Sequence, residues 1–420
     1  MLVKAWEILD TLPVHTVVAW TAFIAGCVQH EYNKEALDCF KQMQLMGIPP
    51  DAITLACELK ACNSIGAIEK GILIHAQITA MGFLKENLYL GNMLLHMYAK
   101  HGMLTKAEEV FNALPNRDVV TWTTLIEGYV QNKCSEDALD CINKMQNEGV
   151  SPNHLTVVWS LKACGDIGDV HKGCILHGEL SRMDLLNDTF IGSALVDMYA
   201  KCGLLKKALE VFDSLPARNQ ITWNALISGY AEHGHGDDAL NCFDRMRQNG
   251  FSPDSIIFVS IIKACASIRI LRMGKEIHNE LISGGFLEKD LIGTALMDLY
   301  TKCGALAEAE WVFDKIQFQN TVMWNVLITG YVNHGLGSKS EVCFQRMQCE
   351  GVCQDEVTFA GNLKALGSIA QIDKGKRIHA AIAGEVYLVK HNLVGNALMD
   401  MYAKCGDLTK VQEQFEQLEV

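Results

Sequence analysis

The chain has 420 residues, 49% hydrophobic and 20% charged, with only seven prolines. Such a composition can bury a large apolar core, which excludes disorder and collagen-like or proline-rich architectures, and the longest apolar stretch, residues 16–28, is shorter than the ~18 residues that a membrane span needs. The formal net charge of −13 argues against general attraction to nucleic acid or membrane surfaces.

Self-similarity at a fixed period marks stacked-repeat architectures. Trp20, Trp122, Trp223 and Trp324 lie 102, 101 and 101 residues apart, and His75, His177, His278 and His379 repeat those spacings. Tyr98, Tyr199, Tyr300 and Tyr402 follow the same period, and the surrounding text recurs with them: LKAC at 59 and 161, MYAKCG at 198 and 401. In chain order, residues 1–16 read as the tail of a partial short repeat, and four units follow at 17–118, 119–219, 220–320 and 321–420. Each unit holds three repeats. The first kind, 35 residues long, lies at 17–51, 119–153, 220–254 and 321–355. The second, of 35 or 36 residues, lies at 52–87, 154–188, 255–289 and 356–391. The third, of 31 residues, lies at 88–118, 189–219 and 290–320, with an incomplete copy at 392–420.

Every repeat reads as two helices. In 119–153, Trp122, Leu125, Ile126 and Tyr129 follow the i, i+3, i+4, i+7 pattern of one helix face. A break is expected over Asn132 to Ser135. A second helix then carries Ala138, Leu139, Ile142 and Met145, and Gly149 and Pro152 end it. Gly102, Gly203, Gly304 and Gly406 mark the same turn in the short repeats. Sustained period-two runs are absent. The expected fold is all-α, a right-handed α-solenoid of stacked helix-turn-helix repeats in one continuous domain, with the first helices lining a concave face.

The sixteen cysteines are expected to be reduced, buried small hydrophobes. Ten stand in register with the repeat: Cys39, Cys141, Cys242 and Cys343; Cys62, Cys164 and Cys265; Cys202, Cys303 and Cys405. The recurring histidines and cysteines are three helical pairs apart, so they cannot converge on one ion, and no C-x-x-C occurs; neither metal nor cofactor is expected. His177-Gly178-Glu179 matches half of a zinc-deaminase signature, but no P-C-x-x-C follows. Without a phosphate-binding glycine loop or a nucleophile elbow, catalysis is not expected.

The opening VTW-x-x-LI-x-GY at 120–129, a close like G-x-x-P-D in the 35-residue repeats, and the alternation of lengths resemble the pentatricopeptide repeat family. The L-K-A-C…K-G…I-H pattern at 59–75 and 161–177, varied at 363–379 where Leu366 replaces the cysteine, is similar to the L repeats of its plant subfamily of P, L and S triplets. G-N-A-L-x-x-M-Y-A-K-C-G at 395–406 is similar to the S repeats. The resemblance implies a sequence-specific single-stranded RNA-binding adaptor of mitochondria or chloroplasts. Its typical task is site recognition in cytidine-to-uridine editing, with a deaminase or other editing proteins as partners and no membrane. RNA stability or splicing is the alternative within RNA, and a protein-interaction scaffold is the alternative outside it. The chain starts and stops inside repeats, so a fragment of a longer protein is expected, and no transit peptide is visible.

The resemblance also implies which residues read bases, each repeat facing one base through its fifth and last residues. An ionised Asp only accepts and suits the ring N–H of guanine or uracil, whereas Asn can donate to the bare ring nitrogen of adenine or cytosine. Thr21 with Asp51 implies G, Asn92 with Asp118 U, Thr123 with Asn153 A, and Ser193 with Asn219 A. Asn224 with Asp254 implies U, Thr294 with Asn320 A, Asn325 with Asp355 U, and Asn396 a pyrimidine. Ala56, Val158, Val259 and Ala360, at the fifth position of the L repeats, cannot hydrogen-bond and receive no letter. The expected target is 5′-G-n-U-A-n-A-U-n-A-U-n-Y-3′. The second residues, Val18, Tyr89, Val120, Phe190, Ile221, Leu291, Val322 and Leu393, would sandwich the bases. The bland counter-reading is that the last-position Asp and Asn residues merely cap helices.

Lysines recur at Lys60, Lys162, Lys263 and Lys364, and at Lys100, Lys201, Lys302 and Lys404, all in first helices. They are expected to meet phosphates along the strand. The second set would also complement the helix dipole. The excess acid is then expected mainly on the second helices, facing outward.

Overall fold

Helix starts and stops follow the local chemistry. In the computed structural model, residues 2–11, 16–182, 188–285, 290–383 and 392–418 are described, and their regular structure is entirely helical. In the repeat at 119–153 the two helices run Val119–Gln131 and Ser135–Asn147, with the break where the sequence places it. The short repeats are short because their second helices, Leu104–Ala113, Leu205–Ser214 and Leu306–Lys315, have 10 residues against 13 in Ser135–Asn147. The residue after each, Leu114, Leu215 or Ile316, is extended. Gly102, Gly203, Gly304 and Gly406 adopt φ between 72° and 83° at the hairpin turn, the left-handed region that glycine tolerates.

The pairs stack into two compact units, Met1–Arg218 and Asn219–Val420, each an α-solenoid of successive hairpins. The division falls one residue before the boundary at 219/220 read from the sequence. Trp122, Trp223 and Trp324 and Tyr98, Tyr199, Tyr300 and Tyr402 are among the largest fully buried side chains. Edge-to-face contacts join Phe111 to Trp122 at 4.7 Å in the first unit, and Phe313 to Trp324 at 4.6 Å in the second.

The recurring histidines have a packing role. His75, His177, His278 and His379 bond the hydroxyls of Tyr98, Tyr199, Tyr300 and Tyr402 through Nδ1 at 2.6–2.9 Å. Each bond ties the second helix of one repeat to the first helix of the next. The glycine of the K-G motif serves the same junction. A Cβ on Gly71, Gly173, Gly274 or Gly375 would come within 2.2–2.6 Å of Met97, Met198, Leu299 or Met401.

Two expectations need correction. Seven of the ten in-register cysteines are buried, but Cys202, Cys303 and Cys405 are only half-buried, because they follow the last helical residues Lys201, Lys302 and Lys404. The excess acid does not sit mainly on the second helices. The twelve second helices carry 23 acidic and 20 basic residues, and the first helices nine acidic residues and eight lysines. Most of the excess lies in the connections, where Asp51, Asp118, Asp254 and Asp355 cap helices. One acid is buried in a first helix: Glu58 is 2% exposed, and burial pushes its pKa up to about 8.

Candidate nucleic-acid interface

The last residue of each first and third repeat of a unit stands in extended backbone before the next helix, and its side-chain oxygen accepts the N–H three residues on. Asp51 takes Thr54 N–H at 2.8 Å, Asp118 takes Thr121, Asn153 takes Thr156 and Asn219 takes Thr222. Asp254, Asn320 and Asp355 take Ile257, Met323 and Thr358. The capping reading therefore holds at all seven positions. It does not use up the side chain. The cap occupies Oδ1, which orients an Asn so that Nδ2 is its remaining group and leaves an Asp with Oδ2.

In four repeats the fifth and last residues come together, directly or through a bridging threonine. Asn325 donates through Nδ2 to both carboxylate oxygens of Asp355, at 2.9 and 3.0 Å. Asn224 Nδ2 donates to Asp254 Oδ2 at 2.8 Å. The Thr21 hydroxyl lies 3.5 Å from Asp51 Oδ1 and 2.6 Å from the hydroxyl of Thr54. Thr123 reaches Asn153 through Thr156, whose hydroxyl is 2.7 Å from Thr123 and 2.9 Å from Asn153 Oδ1. Asn92 has a buried Oδ1 without a hydrogen-bond partner, and it makes no bond to Asp118. Ser193 and Asn219 belong to different units. Thr294 and Asn320 stand at the expected ends of their repeat, and Asn396 is exposed at the start of its own. At the L repeats, Ala56 and Ala360 are buried and Val158 and Val259 half-buried.

Burial would raise the Asp355 carboxyl. Hydrogen bonds from the Thr358 backbone and hydroxyl and from Asn325 outweigh burial and hold its pKa below the ordinary carboxylate value. At neutral pH it is an acceptor only.

The second positions carry exposed apolar side chains in both units. Val18, Tyr89, Val120, Phe190, Ile221, Leu291, Val322 and Leu393 are between 39% and 77% exposed. Four residues missed in the sequence reading continue the series in the L repeats: Ile53, Leu155, Ile256 and Val357, exposed by 41–62%. Their signal was the repeat register itself, since each is the second residue of its repeat. A large apolar side chain recurring on the wet side of a first helix has no role in the core.

The lysines divide into two classes. Lys201 pairs with Asp166 and Asp197 at 2.9 and 3.0 Å, Lys302 with Asp298 at 2.8 Å, and Lys404 with Asp400 at 2.7 Å. Burial alone would lower the pKa of Lys201, but the two carboxylates raise it. Lys100 donates to the carbonyl of Asn63 at 2.9 Å. All four lie in the last helical turn, where the dipole favours a cation. In the L class, Lys162 stacks over Trp159 at 4.4 Å. Lys60, Lys263 and Lys364 are exposed and have no ion pair among the described residues.

Comparison with known proteins gives concordant matches. A model described as PPR repeat family matches residues 15–63, 117–166 and 218–267, and one described as PPR repeat matches 92–119, 193–219, 294–320, 322–352 and 396–420. The chain is 33% identical over 417 residues to the pentatricopeptide repeat-containing protein At4g39530 of Arabidopsis thaliana, covering 97% of this chain and 49% of that one. It is 32% identical over 405 residues to the chloroplastic At1g11290 of the same plant, covering 96% and 49%. It is 30% identical over 414 residues to the mitochondrial At3g25060, covering 99% and 68%. The chain thus spans about half the length of the first two of these relatives. The crystal structure of a triple cysteine-to-serine variant of the pentatricopeptide repeat protein PPR10 in complex with an 18-nt psaJ RNA element superposes with a TM-score of 0.65 at 15% identity, over 100% of this chain and 77% of that one. PPR10 from maize alone gives 0.55 at 19% identity, over 99% and 66%. These structures share the fold.

Proposed function

The chain belongs to the PPR repeat family, and from that premise we propose that it binds single-stranded RNA sequence-specifically, one base per P or S repeat. The observation that carries the reading is the pairing of fifth and last residues, most fully in Asn325 with Asp355, beside exposed apolar second residues. An aliphatic pair can sandwich a base, while the polar couple between them meets its edge. The chloroplastic and mitochondrial relatives support an organelle as the site of action. The P, L and S alternation supports a role as the recognition subunit in cytidine-to-uridine editing, with the deaminase supplied by a partner. The assigned target remains 5′-G-n-U-A-n-A-U-n-A-U-n-Y-3′.

Binding to a synthetic RNA of that sequence against a scrambled control tests the reading. Changing Asn325→Thr together with Asp355→Asn should move the preference at one nucleotide from U to A and leave the others alone. Equal binding of target and scrambled RNA would remove the proposal.

A further inference from the structure

Base reading by two residues leaves open what keeps their polar atoms in one arrangement. An ionised carboxylate can accept either N–H of an Asn amide in several rotations, and each rotation presents a different set of donors and acceptors to a base. In the couple formed by Asn325 and Asp355 a third side chain removes that freedom. The hydroxyl of Thr358 lies 2.6 Å from Asn325 Oδ1 and 2.8 Å from Asp355 Oδ1, and it accepts the Asp355 N–H at 3.2 Å. Thr358 is fully buried, so this hydroxyl has no solvent alternative. With Asn325 Oδ1 held by the hydroxyl, the amide turns Nδ2 to the carboxylate. The hydroxyl has one proton, so with that proton on Asn325 Oδ1 it is the Thr358 N–H that holds Asp355 Oδ1, and Oδ2 is the oxygen with spare acceptor capacity.

The third residue of the following repeat recurs in this role. Thr54 stands between Thr21 and Asp51, at 2.6 and 2.7 Å. Thr156 stands between Thr123 and Asn153, at 2.7 and 2.9 Å. Both are fully buried. The couple of Asn224 and Asp254 is the exception, because its third residue is Ile257, which supplies a backbone N–H to Asp254 but no hydroxyl. There Asn224 Oδ1 takes only a 3.3 Å contact from the Gln220 amide.

We infer that Thr54, Thr156 and Thr358 are positioning residues for specificity: each locks the donor and acceptor pattern of the couple before it, and Ile257 leaves the couple of Asn224 and Asp254 less discriminating. This rests on the base-reading proposal above. A locked amide presents N–H and a locked carboxylate presents one oxygen, matching the carbonyl and ring N–H of uracil. An amide whose oxygen is not held can swing so that this oxygen also faces the base, where the exocyclic amine of cytosine donates to it as readily. The third residue therefore governs the ratio of U to C binding.

The test measures binding of the full chain to the target RNA carrying U or C at the nucleotide of interest. Thr358→Val, close in shape but without the hydroxyl, should reduce the U-to-C ratio at its nucleotide by roughly tenfold, the size expected for one lost hydrogen bond. Thr358→Ser should keep the ratio within about twofold of the parent, because it restores the hydroxyl. Ile257→Thr should raise the ratio at the nucleotide of Asn224 and Asp254 by several-fold. A folded Thr358→Val protein with the parental ratio would overturn the inference. Should that variant not fold, an unchanged ratio in Ile257→Thr overturns it equally. A parent chain that fails to distinguish U from A at the nucleotide of Asn325 and Asp355 would instead sink the base-reading proposal.

Discussion

At the scale of single residues, capping and the proposed base reading are compatible because they use different atoms. Asn153 accepts the Thr156 N–H and hydroxyl through Oδ1, both at 2.9 Å, which leaves Nδ2 as the group a base can meet. Asp and Asn are equally good N-caps. Asn153→Asp should therefore leave the unfolding free energy within ~0.5 kcal/mol of the parent, yet turn the preferred base from A to G. Asn153→Ala should lose the preference and also cost on the order of 1 kcal/mol. Denaturant melts with competition binding on four single-base RNA variants separate the two effects; a base preference unchanged in Asn153→Asp would mean that the residue only caps. The couples were legible in the sequence because repeat register aligns their positions. The bridging hydroxyls were not. Thr54 and Thr358 have the look of ordinary residues in a first helical turn, and only the approach of two repeats brings their Oγ1 atoms onto the preceding couple.

At the scale of helices, the lengths and turns were readable because glycine and helix periodicity are local signals, as at Gly102 and Asn132. The junction of the second with the third repeat of each unit was only half readable. His75 and Tyr98 are visibly periodic, but which residues they touch depends on stacking. Burial lowers the pKa of His75, His177, His278 and His379; Lys106, Lys207 and Lys410 add to this at the first, second and fourth sites. Each histidine is thus neutral in the fold at a pH where the unfolded chain binds a proton. Their contribution is fully present above the unfolded value of about 6.5 and is lost as pH falls through the lower folded value. Each can cost at most ~1.4 kcal/mol per pH unit across that window. Glu58 has the opposite sign. Its folded pKa is raised, so its contribution is fully present below about 4.5 and is lost as pH rises toward about 8. Urea melts between pH 7.5 and 5.5 should show stability falling with acidification. Replacing the four histidines by glutamine should flatten that fall, and Glu58→Gln should stabilise the chain most at pH 8. A pH profile indifferent to the histidine replacements would show that their titration does not couple to folding.

For the molecule as a whole, a net charge of −13 has to be reconciled with the polyanionic ligand proposed for it. The acid is concentrated in the connections rather than along the first helices, where nine acidic residues face eight lysines. Within that near balance the lysines are unequal. Lys201, Lys302 and Lys404 are held by carboxylates at 2.7–3.0 Å and must give up a partner to meet a phosphate. Lys60, Lys263 and Lys364 have no such partner among the described residues. Counterion release from a single strand contributes a slope of about −0.7 in log K against log salt for each phosphate neutralised. Replacing Lys60, Lys263 and Lys364 together by Gln should therefore flatten the salt dependence of RNA binding by about 2, with base preferences intact. Changing Asp197, Asp298 and Asp400 to Asn frees Lys302 and Lys404 from their closest carboxylates and leaves Lys201 with Asp166 alone. It should steepen the dependence and raise affinity at low salt. Filter binding of the target RNA over a tenfold range of salt measures both slopes. Identical slopes in parent and both variants would place these side chains outside the path of the strand, and the phosphates would then have to be met from the connections or the second helices.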